Sequence, residues 1–310
     1  MAKTNNKQEG GSRYAYLLSD ATFKVVICTP AHEKLLIEIL QLLIPGKEIE
    51  SISFVNKEMH GLVVSEKNVT FDLLCKEKVT GEEFLVEVQN KEQESFCDRM
   101  LVYSTYPIRE QMEIRAQLIR EGKVKDPMDY SLKPIYVLSM INFCLDHKSE
   151  DAIEDGYVSR YELRNQHNGE LMTGSLNFVF LELGRLKLKE TEPEKCRSQL
   201  ERFVFSLKYM HTLKAKPDCF EEELFGDLFE ATELATMTVN ERQKYDSIMW
   251  TEIDKIATTN FAVKQAEARG REEGREEGRI EDRKEVIQIL EQYGVSPEVI
   301  DRLRLQDEGN

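Results

Sequence analysis

Two short apolar stretches, VTFDLLC at positions 69–75 and FLVEVQ at positions 84–89, constrain this chain more than anything else in it. Both carry the period-two alternation of a β-strand, and a breaker-rich stretch separates them. Successive side chains on a strand face opposite ways. Val69, Phe71, Leu73 and Cys75 therefore share one face while Asp72 points to the other. Phe84, Val86 and Val88 likewise share a face that Glu87 and Gln89 oppose. The linker contains Val79, Thr80 and Gly81, so a hairpin is the simple connection. Centred between Val79 and Thr80, that hairpin pairs position 72 with position 87. Cross-strand partners have Cβ atoms about 4.5–5.5 Å apart. Two carboxylates at that separation repel unless a cation or a proton lies between them. Hard oxygen ligands so placed suit Mg²⁺ or Mn²⁺, and such an ion polarises a phosphate and activates water. The alternative is an Asp and a Glu that are simply solvated on an exposed strand face.

The 310 residues suffice for a sizeable core and one or two domains. No apolar run reaches the roughly 18 residues of a membrane span. The first eleven residues are polar, so no secretory signal is expected. Six scattered cysteines without a Cys-x-x-Cys pair argue against zinc and against a disulfide framework, and a reducing cytoplasm fits. The net charge of −15 opposes nonspecific nucleic-acid binding, which relies on clustered Lys and Arg. An acidic site for metals with a locally basic rim remains compatible with it.

Along the chain, residues 1–12 read as disordered. A helix is predicted over 14–28, then a second introduced by Thr29-Pro30, with Leu35, Leu36, Ile39, Leu40 and Leu43 on one stripe and a stop at Pro45-Gly46. Strands are predicted over 49–56 and 62–65, with Glu58 in the turn between; with the central pair they make a mostly antiparallel meander. Ser95, with Asp98 three residues on, reads as a capping box. Phe96, Met100 and Tyr103 read as core, Arg99 as an ion-pair partner of Glu92 or Glu94 or else a phosphate contact, and Pro107 as a kink or break. The run from Pro134 to Phe143 is apolar almost throughout, as in a strand buried on both faces and parallel to a neighbour. Strands follow at 157–164 and 177–183. His147, His167 and His211 lack metal-ligand spacing. From Pro193 the pattern turns helical, with Trp250 expected to anchor packing. The repeat GREEGREEGR from Gly270 allows ion pairs along a helix, but glycine at every fourth position lowers helix propensity by about 1 kcal/mol each. A helix that self-associates along the glycine stripe and a flexible charged linker are both open there.

Asp72, followed fifteen residues later by Glu87-Val88-Gln89, resembles the PD-(D/E)XK nuclease superfamily, and most of all its Rpn branch of recombination-promoting nucleases and transposases. Asp20-Ala21-Thr22-Phe23-Lys24, Phe96 to Arg99 with Tyr103, the strand from Pro134 and the charged tail match as well, so the resemblance spans roughly positions 14 to 305. It implies a restriction-endonuclease-like α/β fold: a mixed sheet flanked by helices. It implies Mg²⁺ (or Mn²⁺) held by Asp72, Glu87 and the main-chain carbonyl of Val88. By the same resemblance Asp20 is an additional acidic group and Lys24 a phosphate contact; read from the residues alone, they make an ordinary i,i+4 ion pair. The superfamily's lysine position is Gln89 here. An amide orients water or phosphate but takes up no proton near neutral pH.

The expected organisation is a disordered stretch 1–12, a nuclease-like domain 13–190, a helical subdomain 191–261 and a charged helical tail 262–310. The expected function is metal-dependent hydrolysis of DNA phosphodiesters linked to recombination or transposition, in the cytoplasm, without membrane contact, and with homo-oligomerisation through the tail. The competing class is a weak or inactive nuclease-fold protein serving as a self-associating interaction module.

Overall fold

The computed structural model describes residues 12–19, 22–55, 72–124, 126, 128, 130–294, 296 and 297. The expected strand at 62–65, Glu58, Asp20 and positions 69–71 lie outside the described residues. Among the described residues six strands form one sheet: β1 (Ile52–Phe54), β2 (Leu73–Glu77), β3 (Glu83–Gln89), β4 (Ile135–Ile141), β5 (Val158–Arg164) and β6 (Leu171–Glu182), in the order β1-β2-β3-β4-β6-β5. β1, β2 and β3 run antiparallel as a meander, β4 is parallel to both β3 and β6, and β5 returns antiparallel to β6. The continuous apolar run of β4 is explained by its place between two parallel neighbours with both faces covered.

The helices are α1 (Thr22–Val26), α2 (Glu33–Leu43), α3 (Phe96–Arg120), α4 (Gln199–Tyr209), α5 (Glu223–Thr232) and α6 (Val239–Gln292). Strand alternation sorts the core into two layers. Leu73, Cys75, Phe84, Val86, Val88, Leu138, Met140 and Leu181 pack with side chains of α1, α2, α4 and α5. Leu74, Leu85, Val137, Ile141 and Phe180 pack instead against Phe96, Met100 and Tyr106 of α3. Glu87 lies on the α3 face by the same alternation, 3.6 Å from Arg99 of that helix. The described residues divide into two compact units between Met249 and Trp250.

Several local expectations change. The helix over 14–28 shrinks to α1, because residues 13–15 pair instead with the end of α5: Ala15 N–H donates to the Thr232 carbonyl and Leu234 N–H to that of Arg13, at 2.8 and 2.9 Å. Ser95 does not form the capping box. It sits at φ 55°, in the left-handed region, without a side-chain cap, and its carbonyl accepts the Arg99 N–H at 2.9 Å. Pro107 neither breaks nor ends α3, which continues to Arg120. Proline inside a helix costs about 3 kcal/mol; here Tyr106 and Pro107 are both buried, so packing offsets it. Trp250 anchors nothing: it is 68% exposed.

Candidate active site

The hairpin register is Leu73↔Val86, Leu74↔Leu85, Cys75↔Phe84 and Lys76↔Glu83. The ladder ends at Leu73↔Val86, which leaves Asp72 and Glu87 at its open end. Glu77 fixes the turn: its Oε2 accepts the N–H groups of Val79, at 2.7 Å, and of Thr80. Gly81 completes it at φ +75°, a conformation that favours glycine.

Neither carboxylate is left on an open strand face. Asp72 is 8% exposed and Glu87 7%, because the first turns of α3 cover this end of the sheet. Asp72 Oδ2 accepts the main-chain N–H of Val88 at 2.6 Å. Within a strand the N–H and C=O of one residue point to the same edge, so the Val88 carbonyl also faces the Asp72 side. On the far edge of β3, Ser139 of β4 is the register partner of Glu87 and donates its hydroxyl to Met100 Sδ at 3.2 Å.

Gln89 is buried and held at both ends. Its Nε2 donates to the Lys91 carbonyl at 3.0 Å, and its Oε1 accepts from Arg99 Nη2 at 2.6 Å. Arg99 does not pair with Glu92 or Glu94, as the sequence suggested. It reaches inward, its Nη2 lying 3.6 Å from Glu87 Oε1, and its other branch donates to Gln93 Oε1. Its guanidinium lies over the rings of Phe96 and Tyr103, 5.4 and 5.6 Å from their centroids.

Tyr103, read as core from the sequence, belongs to this site. Burial pushes its phenol up, the charges of Glu87 and Asp72 push further, and Arg99 opposes them. The available signal was its i+4 spacing from Arg99 on a helix. On the opposite side, Cys28 follows α1. Burial holds its thiol well above the usual range, Asp72 and Cys75 add to this, and Lys24 opposes it. Lys24 itself is exposed on α1. The structure thus groups Asp72, Glu87, Val88 and Gln89; Lys24 and Asp72 both act on Cys28, and Asp20 lies outside the described residues.

A second polar cluster was not foreseen. Glu182, wholly buried at the end of β6, shares the register row of Gln89 and Ile141. It accepts from Leu145 N at 3.1 Å, Ser159 Oγ at 3.2 Å and Arg185 Nε at 2.9 Å, and lies 2.5 Å from His147 Nε2. Its partners come from three separate stretches of chain, so no local spacing announces it.

The set Asp72, Glu87 and the Val88 carbonyl offers only hard oxygen donors, which fits Mg²⁺ or Mn²⁺. Among the described residues, no group of three His, Cys, Asp or Glu side chains could hold a metal ion; the candidate set has only two such side chains plus a carbonyl.

The model of the PD-(D/E)XK nuclease family transposases matches residues 17–262. The chain belongs to that family. Its mixed six-stranded sheet with flanking helices is the restriction-endonuclease-like α/β fold that goes with membership. No curated protein and no solved structure matches the chain. Nucleases of the PD-(D/E)XK type generally use divalent metals. The matched segment contains the whole constellation around Asp72 and Glu87. No helix among the described residues is long and apolar enough to cross a membrane.

Proposed function

We propose that this chain is a metal-dependent DNA endonuclease in which Asp72, Glu87 and the Val88 carbonyl hold one Mg²⁺ or Mn²⁺. The observation that carries this reading is the burial of both Asp72 and Glu87 at the open end of the β2–β3 ladder, inside the segment that matches the nuclease family. When bound, the ion would supply Lewis-acid polarisation of the phosphate and an acidified water. Net hydrolysis adds water across one P–O ester bond: its oxygen ends on phosphorus, and one hydrogen ends on the released hydroxyl. Gln89, fixed by Lys91 and Arg99, has an amide that orients a partner but takes up no proton. Lys24 is the proposed phosphate contact from α1, and Asp20 the additional acidic group. A role in recombination or transposition, in the cytoplasm, belongs to the same reading.

Self-association through the tail is supported by exposed apolar side chains on α6, among them Trp250, Ile253 and Phe261. The same side chains favour the competing reading, a catalytically silent interaction module. The purified protein should nick supercoiled plasmid with Mg²⁺ or Mn²⁺ and stop when the ion is chelated, and Asp72→Ala should be inert. Equal cleavage by that variant removes the proposed site. Calorimetric titration with Mn²⁺ separates the two readings, since an interaction module has no need of the ion.

A further inference from the structure

The geometry points to Arg99 as the fixed positive charge of the site, which grips a DNA phosphate, with Gln89 as the positioning residue that aims it. This rests on the nuclease reading above and adds a substrate contact to it.

The argument starts from how the guanidinium is held. Its two terminal nitrogens donate to neutral amides, Gln89 Oε1 at 2.6 Å and Gln93 Oε1, while Nη2 also lies 3.6 Å from the Glu87 carboxylate. An amide acceptor orients a guanidinium without cancelling its charge. A surface pairing with Glu92 or Glu94 would have cancelled it. The side chain keeps 27% exposure, so part of the fork is open to a ligand, and its buried Nε–H has no hydrogen-bond partner among the described residues. The rings of Phe96 and Tyr103 fix the plane of the group. A planar, always protonated fork with oriented donors suits a phosphate anion. It cannot serve as a base, which assigns it to binding and charge stabilisation.

Gln89 then has a physical reason to be an amide. A lysine at this buried position would face the guanidinium with a second cation and would remove the acceptor that aims it. A glutamate would hold Arg99 but neutralise it. The amide holds it without adding a second carboxylate beside that of Glu87. The positive charge that the superfamily motif places on β3 is delivered here from the first turn of α3.

The test uses the full chain and a fluorescently labelled DNA duplex. Affinity is read by anisotropy in Ca²⁺, which takes the same oxygen ligands, and cleavage in Mn²⁺. Arg99→Gln is expected to weaken binding about ten- to a hundredfold and to reduce the slope of log affinity against log salt by about 0.9, the value for one phosphate contact. Arg99→Lys should keep the salt slope while losing part of the affinity. Gln89→Lys should lower cleavage, and combining it with Arg99→Gln, which exchanges cation and amide across one contact, should recover most of that loss. A structural role alone would not move the salt slope or permit rescue by exchange. An Arg99→Gln protein with wild-type affinity and slope overturns the proposal, as does Gln89→Lys raising cleavage. If the wild type binds DNA through Arg99 but does not cut it, the nuclease reading fails and this assignment stands. If it cuts DNA and Arg99→Gln is silent, the reverse holds.

Discussion

Asp72 accepts the main-chain N–H of Val88 at 2.6 Å, so the side chain proposed as a metal ligand also closes the open end of the β2–β3 ladder. The two roles separate by substitution. Asp72→Ala leaves a buried N–H without its acceptor, which costs about 1–3 kcal/mol. Asp72→Asn retains an acceptor oxygen and should cost less than about 1 kcal/mol. Both should cut Mn²⁺-dependent cleavage by about a hundredfold or more. Urea denaturation beside a plasmid-nicking assay checks the pair: the expected result is equal loss of activity with unequal loss of stability.

Two glycines should respond to alanine in opposite directions. At Gly184 a Cβ would lie 2.7 Å from the main-chain carbonyl carbon of Phe143, so the backbone must shift. Gly184→Ala is expected to destabilise by about 1–3 kcal/mol. At Gly226, inside α5, a Cβ meets nothing within 4 Å. Gly226→Ala should stabilise by up to about 1 kcal/mol through helix propensity. Denaturant midpoints of the two variants against wild type give the signs directly.

Glu83 provides a pH test. It is 3% exposed at the start of β3, and burial raises its carboxyl pKa, with Lys76 opposing and Glu110 adding. A raised folded-state value means that the folded state favours the protonated form. The contribution to stability is therefore fully present below the ordinary glutamate value of about 4.3, and is lost as pH rises through the folded-state value. Glu83→Gln, neutral at every pH, should be more stable than wild type at neutral pH, and the advantage should vanish below about pH 4. Thermal midpoints at the two pH values measure it.

Glu182 should be among the costliest positions to truncate. It is wholly buried among the Leu145 N–H, His147, Ser159 and Arg185. Glu182→Ala strands those donors and is expected to cost about 3–5 kcal/mol. A denaturation curve within error of wild type would show that the cluster contributes nothing net.

The β2–β3 register was legible because it depends on local information: two alternating strands, a turn between them and a glycine in the left-handed region. The double burial of β4 was legible from its unbroken apolar run. What escaped the sequence depends on distant partners. Residues 13–15 look helical until the end of α5 offers its backbone groups. Pro107 reads as a breaker unless the sheet beneath Tyr106 is known. Arg99 has Glu92 and Glu94 as acidic neighbours in sequence, but in space it meets Gln89, Gln93 and Glu87. Trp250, the single tryptophan, reads as core by residue type alone, yet is mostly exposed.

β3 is laced to neighbours on both edges, and every one of its seven residues is buried. A strand so tethered can neither slide nor rotate by itself. Glu87 and Val88 are in effect part of the frame, not adjustable fittings on it. On the proposed nuclease reading, a change of ion, turnover or substrate would have to start from the overlying helix, which carries Arg99 and Tyr103.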